Sequence, residues 1–187
     1  MAYRVVSWYA KLMQGHPAKT QILTTGVLML SGDVVCQKLI EKKPTVDVER
    51  AARFFVIGVG FVGPTLRTWY LYLEKLVSPK GRMIPLKKML LDQGSFAPMF
   101  IPCFLACVGI LQHQTWPEIK EKVKADYVAV LTANYMLWPA AQMINFYIVP
   151  LQYRVVYAGG VAFIWNIYLS WKANRTDARP ESHATSP

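Results

Sequence analysis

Long stretches of the chain are almost free of charged residues. Between Tyr127 and Trp171 the only charged residue is Arg154, and between Asp92 and Glu118 there is none apart from a titratable histidine. Each helix of a soluble bundle needs a charged face toward water, whereas helices that are apolar all round belong in lipid. The pattern therefore predicts an all-α integral membrane protein, a multispanning transmembrane helix bundle.

Five apolar segments approach or exceed the length of about 20 helical residues that crosses a bilayer. Their approximate ranges are 20–40, 53–76, 88–112, 127–149 and 155–171. Pro98 and Pro102 interrupt the third, so there are four spans if only continuous segments count and five otherwise. Apolar residues at helical spacing near the N-terminus predict an amphipathic helix that precedes the spans: Val5, Trp8, Tyr9 and Leu12.

The charged segments between the spans are predicted to lie at the membrane surface. The segment from Trp116 to Asp126 carries Pro117 in its first turn, which predicts an interfacial connecting helix that does not cross. Residues 1–172 thus form a single transmembrane domain, and the polar residues 173–187 form a disordered tail.

Charge indicates what these segments contact. The chain of 187 residues has a net charge of +10. Its basic residues cluster beside the spans, in one group of Lys42, Lys43, Arg50 and Arg53 and another of Lys80, Arg82, Lys87 and Lys88. Basic residues in such places anchor helix ends in anionic headgroups. We therefore expect the lipid bilayer as a partner, and no direct contact with nucleic acid.

The sequence shows no motif of an enzyme, a cofactor site or a metal site. Its three histidines are scattered, and it contains neither a glycine-rich phosphate loop nor a Ser-His-Asp arrangement. Cys103 and Cys107 are four residues apart in an apolar segment. A thiol switch is one interpretation, but regular helix geometry suits a disulfide poorly at this spacing and favours simple packing.

Polar groups inside the apolar segments are the candidate functional residues, because charges at membrane depth are costly and must be offset. They are Asp33, Gln37, Asp92, Gln93, Asn134, Gln142, Asn145 and Asn166. One interpretation is that they line a water-filled path; the other is that they bond helix to helix. Arg67 is a candidate ion-pair partner for an aspartate, and Arg154 caps the last helical hairpin.

Several motifs resemble those of the Mpv-seventeen and peroxisomal-membrane-protein-twenty-two family. They are Asn134-Tyr135-Met136-Leu137-Trp138-Pro139, Trp165-Asn166-Ile167-Tyr168-Leu169-Ser170-Trp171, Leu86-Lys87-Lys88-Met89-Leu90-Leu91-Asp92-Gln93-Gly94 and Phe61-Val62-Gly63-Pro64. The resemblance covers nearly the whole chain to Lys172 and is closest to the mitochondrial branch. That branch has a Gly-Gly pair where this chain has Arg67-Thr68.

The resemblance implies a small multispanning protein of the mitochondrial inner membrane, with the peroxisomal membrane as the alternative. It also implies channel-like conductance for small solutes and effects on membrane potential, nucleotide supply, mitochondrial DNA maintenance and reactive oxygen species. We therefore expect a non-enzymatic channel for small solutes or ions, acting alone, as a homo-oligomer or in a membrane complex. The alternatives are a structural inner-membrane scaffold and a gated nucleotide-precursor transporter, for which Arg67 and Arg154 would contact phosphate.

Overall fold

The computed structural model describes residues 2–77, 83–149 and 154–175, with only the backbone described for residues 2–6, 146 and 154–156. Six helices make up most of this part of the chain, which contains no strand. They are α1 Ala2–Gly15, α2 Pro17–Ile40, α3 Val48–Leu76, α4 Ile84–Leu111, α5 Trp116–Tyr147 and α6 Arg154–Asn174. The prediction of an all-α bundle is confirmed.

Helices α2 to α6 form a closed ring, in which each packs against the next and α6 packs against α2. The contacts Phe61–Phe100 and Trp69–Phe96 show that α3 and α4 are antiparallel. The contacts Tyr127–Pro98 and Asn134–Gln93 show the same for α4 and α5. Helix α1 packs outside the ring on α2, where the Tyr9 hydroxyl lies 3.2 Å from that of Thr24. The predicted N-terminal helix is therefore part of the bundle surface.

Helices α2, α3 and α4 combine the length and the apolarity needed to cross a membrane. Helices α5 and α6 have 32 and 21 residues and so also exceed the length of a span, although polar side chains interrupt their apolar surface. The bundle thus agrees with the four to five spans predicted. The part of the predicted tail beyond residue 175 lies outside the described residues.

The separate connecting helix predicted from Trp116 to Asp126 is wrong, because this segment is the first part of α5. The helix begins at a capping box, in which Thr115 and Glu118 satisfy the first backbone amides. No helix-breaking residue separates Asp126 from the apolar residues that follow, so the helix continues into the span.

Each of the three apolar helices contains one π-helical turn, at Cys36–Ile40 in α2, Gly58–Val62 in α3 and Asp92–Phe96 in α4. Pro64 and Pro98 follow the last two of these turns. A proline in a helix lacks an amide hydrogen and crowds the carbonyl four residues earlier, which here belongs to a residue of the wider π turn. The interruption predicted for the third span is therefore a π turn, and α4 stays helical through Pro102.

Helices α2 and α3 lie in close contact at Gly26 and Gly58. A Cβ atom added to Gly58 would lie only 2.6 Å from the Cα atom of Gly26, whereas one added to Gly60 would meet no atom within 4 Å. Only glycine permits this contact, because the obstacle is backbone and cannot rotate away.

We expect Gly58→Ala to lower the free energy of unfolding by about 1–3 kcal/mol, since it overpacks the contact between α2 and α3. The matched control is Gly60→Ala, which should be neutral or raise stability by about 0.5–1 kcal/mol because alanine favours a helix. Unfolding in mixed detergent micelles, followed by circular dichroism, measures both variants. Equal stability of the two proteins would contradict the close contact.

Candidate functional site

A cavity of about 160 Å³ lies at the centre of the ring, and all five helices α2 to α6 contribute to its walls. Its aromatic lining residues are Tyr70, Phe96, Phe100, Phe104, Trp138 and Trp165. Its polar lining residues are Thr25, Asp92, Gln93, Asn134 and Asn166. Among the described residues that line it, none is Lys or Arg. The cavity is therefore an aromatic chamber with one carboxylate and several neutral polar groups.

The polar side of the cavity is a chain of hydrogen bonds centred on Asp92. Trp69 Nε1 donates to Asp92 Oδ1 at 2.7 Å, and Gln93 Nε2 donates to Asp92 Oδ2 at 2.9 Å. Asn134 Nδ2 in turn donates to Gln93 Oε1 at 2.6 Å. Every donor in this series of hydrogen bonds is neutral. No basic side chain of the described residues lies within 4.0 Å of the Asp92 carboxylate. Among the described residues, Asp92 therefore has no counterion.

The π turn of α4 places the side chains of Asp92 and Gln93 at the cavity. It leaves the carbonyl of Gln93 accessible from the side, and Tyr135 on α5 donates its hydroxyl to that carbonyl at 2.9 Å. Backbone groups freed by an irregular turn must find such partners inside a membrane protein. The contacts from Asn134 and Tyr135 thus hold the π turn of α4 against α5.

An aromatic ladder borders the same region. The rings of Trp69 and Phe96 stack with centroids 4.9 Å apart, those of Phe96 and Phe100 at 5.0 Å, and those of Phe100 and Phe61 at 5.5 Å. Offset aromatic pairs add to the stability that burial alone provides. The ladder joins α3 to α4 beside Asp92.

A second polar cluster closes one end of the bundle and is centred on Arg50. The Arg50 Nε atom donates to Asp33 Oδ1 at 2.7 Å, its two Nη atoms donate to the Glu41 carboxylate at 2.8 Å each, and Nη2 also donates to Ser170 Oγ at 3.0 Å. This bidentate pairing lowers the pKa of Glu41. Ser170 completes the group by donating to Asp33 Oδ1 at 2.5 Å. Helices α2, α3 and α6 are joined by this cluster.

Gln37 is the hydrogen-bond partner of the second oxygen of the Asp33 carboxylate. Its Nε2 donates to Asp33 Oδ2 at 2.7 Å, and its Oε1 accepts from the Asp47 amide at 2.6 Å. The Asp33 and Gln37 residues are completely buried, and neither lines the cavity. The cluster is thus a closed network between helix ends, separate from the chamber.

A smaller ion-pair group lies at the same end of the bundle. Asp126 on α5 is buried, with its Oδ1 2.8 Å from Lys172 Nζ on α6 and its Oδ2 3.0 Å from Lys122 Nζ. None of these three residues is among the candidates predicted from the sequence. The pair Lys122–Asp126 at the i,i+4 spacing was a visible signal, but only the fold brings Lys172 to it.

The predicted site residues therefore divide into separate groups. Four of them, Asp92, Gln93, Asn134 and Asn166, line the cavity. Gln142 is half-buried and Asn145 is buried farther along α5, and neither is among the lining residues.

Arg67 pairs with neither aspartate. Its Nη1 donates to Gln21 Oε1 at 2.7 Å on the outer surface between α2 and α3. Arg154 begins α6, and its side chain lies outside the described residues. Cys103 is exposed and Cys107 half-buried on α4, and both are free thiols.

Comparison with known proteins agrees with the motifs noted above. Residues 109–170 match the model of the Mpv17 / PMP22 family. The chain is 44% identical to "Mitochondrial inner membrane protein Mpv17" of Xenopus laevis over 170 residues (90% of this chain, 96% of the relative) and 44% identical to the Homo sapiens protein of that name over 169 residues (89% and 96%). "Protein sym-1" of Neurospora crassa is 36% identical over 171 residues (89% and 98%). No solved structure matches the chain.

These similarities extend over most of the chain and almost the whole length of each relative. The resemblance seen in the sequence is thereby confirmed, as is the mitochondrial location that it implied. The chain belongs to the Mpv17 / PMP22 family and is a protein of the mitochondrial inner membrane.

Proposed function

We propose that the chain forms a non-enzymatic channel for small solutes across the mitochondrial inner membrane, with the central cavity as its path. The observation that supports this most is the chamber walled by five helices, in which the Asp92 carboxylate accepts hydrogen bonds from only neutral donors among the described residues. A carboxylate without a counterion attracts cations, so the path prefers cations to anions. Such a path would affect membrane potential, and with it metabolite balance, mitochondrial DNA maintenance and reactive oxygen species.

The path is closed at one end in this conformation. The cluster of Asp33, Arg50 and Ser170 joins α2, α3 and α6 one to two turns beyond Met29 and Asn166, which line the cavity. Conduction therefore requires these helix ends to separate. Because Asp33 is fully paired within this cluster, we assign the cation preference to Asp92 alone.

A structural scaffold is the second candidate function. The observation in its favour is that Asp33, Gln37 and Arg50 are bonded to one another in a buried network, as a purely structural protein would require. The scaffold alternative does not explain why Asp92 faces an open chamber.

A gated transporter of nucleotide precursors receives less support. Phosphate is recognised by arginine and lysine, and the described residues that line the cavity include neither. The volume of about 160 Å³ is also close to that of a protein cavity that holds benzene, about 150 Å³. A nucleotide is much larger than benzene and would not fit this conformation.

Asp92→Asn tests the channel and its selectivity together. In planar bilayers with a KCl gradient, we expect the reversal potential of the wild-type protein to show preference for K⁺ over Cl⁻. The variant keeps an acceptor oxygen for Trp69 and loses the charge, so the permeability ratio should fall by about tenfold, which corresponds to about 1.4 kcal/mol.

The matched control for this measurement is Glu74→Gln, which removes a mostly exposed carboxylate paired with Lys88 near the end of α3. It should leave the permeability ratio unchanged. Absence of any conductance from purified wild-type protein would reject the channel. Unchanged selectivity in Asp92→Asn would reject the role of this carboxylate.

A further inference from the structure

The residues that line the cavity indicate the chemical class of its ligand as well as the sign of the ligand's charge. One carboxylate, Asp92, lies in a chamber whose walls include the rings of Tyr70, Trp138 and Trp165. Each ring carries partial negative charge on its faces and attracts a cation placed over it, most strongly in the case of tryptophan. The carboxylate and the rings therefore favour the same kind of ligand, one with positive charge and some apolar surface.

A metal ion suits the chamber poorly. Hard cations such as Ca²⁺ and Mg²⁺ require about six or more oxygen ligands, supplied by carboxylates, carbonyls and water. The described part of the chain contains no group of three or more His, Cys, Asp or Glu residues that could hold a metal ion. An organic cation needs only one counter-charge, and it gains from aromatic contact that a strongly hydrated metal ion does not.

The size of the cavity limits this ligand. Its volume of about 160 Å³ is near the roughly 150 Å³ that accommodates benzene, so a ligand of about six to eight non-hydrogen atoms fits. Choline and small primary amines fall within this limit.

We propose that the cavity binds a small organic cation, a quaternary ammonium or a protonated amine, with its positive group at Asp92 and its apolar part against Trp138 and Trp165. The side-chain amides of Gln93, Asn134 and Asn166 would form hydrogen bonds with a polar substituent of the ligand, such as a hydroxyl group. This inference deepens the proposed function, because it names a solute class for the same path.

The test compares choline with dimethylbutanol, the uncharged molecule of the same shape in which carbon replaces the choline nitrogen. Binding to the purified full-length protein in lipid nanodiscs is followed by the change in tryptophan fluorescence and by calorimetry. We expect choline to bind at least tenfold more tightly than dimethylbutanol. Equal affinity for the two molecules would overturn the proposal.

Two variants and a control locate the site. Asp92→Asn should abolish the preference for choline, and Trp138→Leu should weaken choline binding severalfold, with circular dichroism confirming that both variants are folded. Glu74→Gln should bind choline as the wild type does. A preference for choline that persists in Asp92→Asn would overturn the assignment even if Trp138→Leu failed to fold.

The binding and conductance experiments fail in different ways. Choline binding without any conductance would reject the channel and leave the cation site in place. Conductance without a preference of the protein for choline over dimethylbutanol would leave the channel in place and reject the cation site.

Discussion

Replacing Arg50 with methionine is expected to lower the free energy of unfolding by about 3–5 kcal/mol, the usual cost of removing one partner of a buried ion pair. The residue is 6% exposed and donates to Asp33, Glu41 and Ser170. Methionine preserves much of the side-chain volume but leaves the buried carboxylate of Asp33 without its counterion. The measurement is unfolding in mixed micelles, as for the glycine variants.

A second substitution separates loss of charge balance from loss of packing. In Arg50→Met combined with Asp33→Asn, the carboxylate is also removed, so we expect a substantial part of the lost stability to return. The control is Arg53→Met, because Arg53 lies on the same helix and pairs with Glu49 at the surface. Exposed pairs contribute about 0–1 kcal/mol. Similar losses in Arg50→Met and Arg53→Met would show that the buried network does not join the helices as described.

The helices were predictable because apolar length is a local property. A run of uncharged residues long enough to cross a bilayer is visible without knowledge of its neighbours, and the boundaries at Pro17 and Leu76 follow from local breakers and charge. The connecting helix was misjudged for the same reason. The charge of the 116–126 segment suggested a separate element, although nothing in the backbone pattern ends the helix there.

The partners of the polar groups were harder to predict, because they depend on how helices distant in sequence are aligned. Asp33 was expected at a water-filled path, with Arg67 as its candidate partner, but its partners are Arg50 and Ser170. One signal could have indicated Arg50. The connection from Glu41 to Asp47 is only seven residues long, so the first turn of α3 must lie beside the last turns of α2.

The polar residues of α5 show the limit of helical periodicity. At about 100° per residue, Asn134, Gln142 and Asn145 fall on one side of an ideal helix, but only Asn134 of the three lines the cavity. The chamber occupies part of the length of the bundle, and Gln142 and Asn145 lie two to three turns farther along α5. Periodicity gives the angle of a residue around its helix, whereas the depth of a cavity depends on the neighbouring helices.

The central claim is that solutes pass through the cavity, and cysteine accessibility tests it most directly. Ala162 on α6 lines the cavity, and Ile164, two residues further along the same helix, is 61% exposed on the outer surface. Each is replaced by cysteine in a chain whose own three cysteines have been changed to alanine. Single channels in planar bilayers are then treated with a small, positively charged methanethiosulfonate reagent.

We expect the reagent to reduce the conductance of Ala162→Cys by more than half, because the added group occupies much of a chamber of about 160 Å³. The conductance of Ile164→Cys should not change, since lipid surrounds this position. The conductance of the cysteine-free protein should not change either, since it has no thiol. Conductance that continues unchanged in a fully modified Ala162→Cys protein would contradict a path through the cavity.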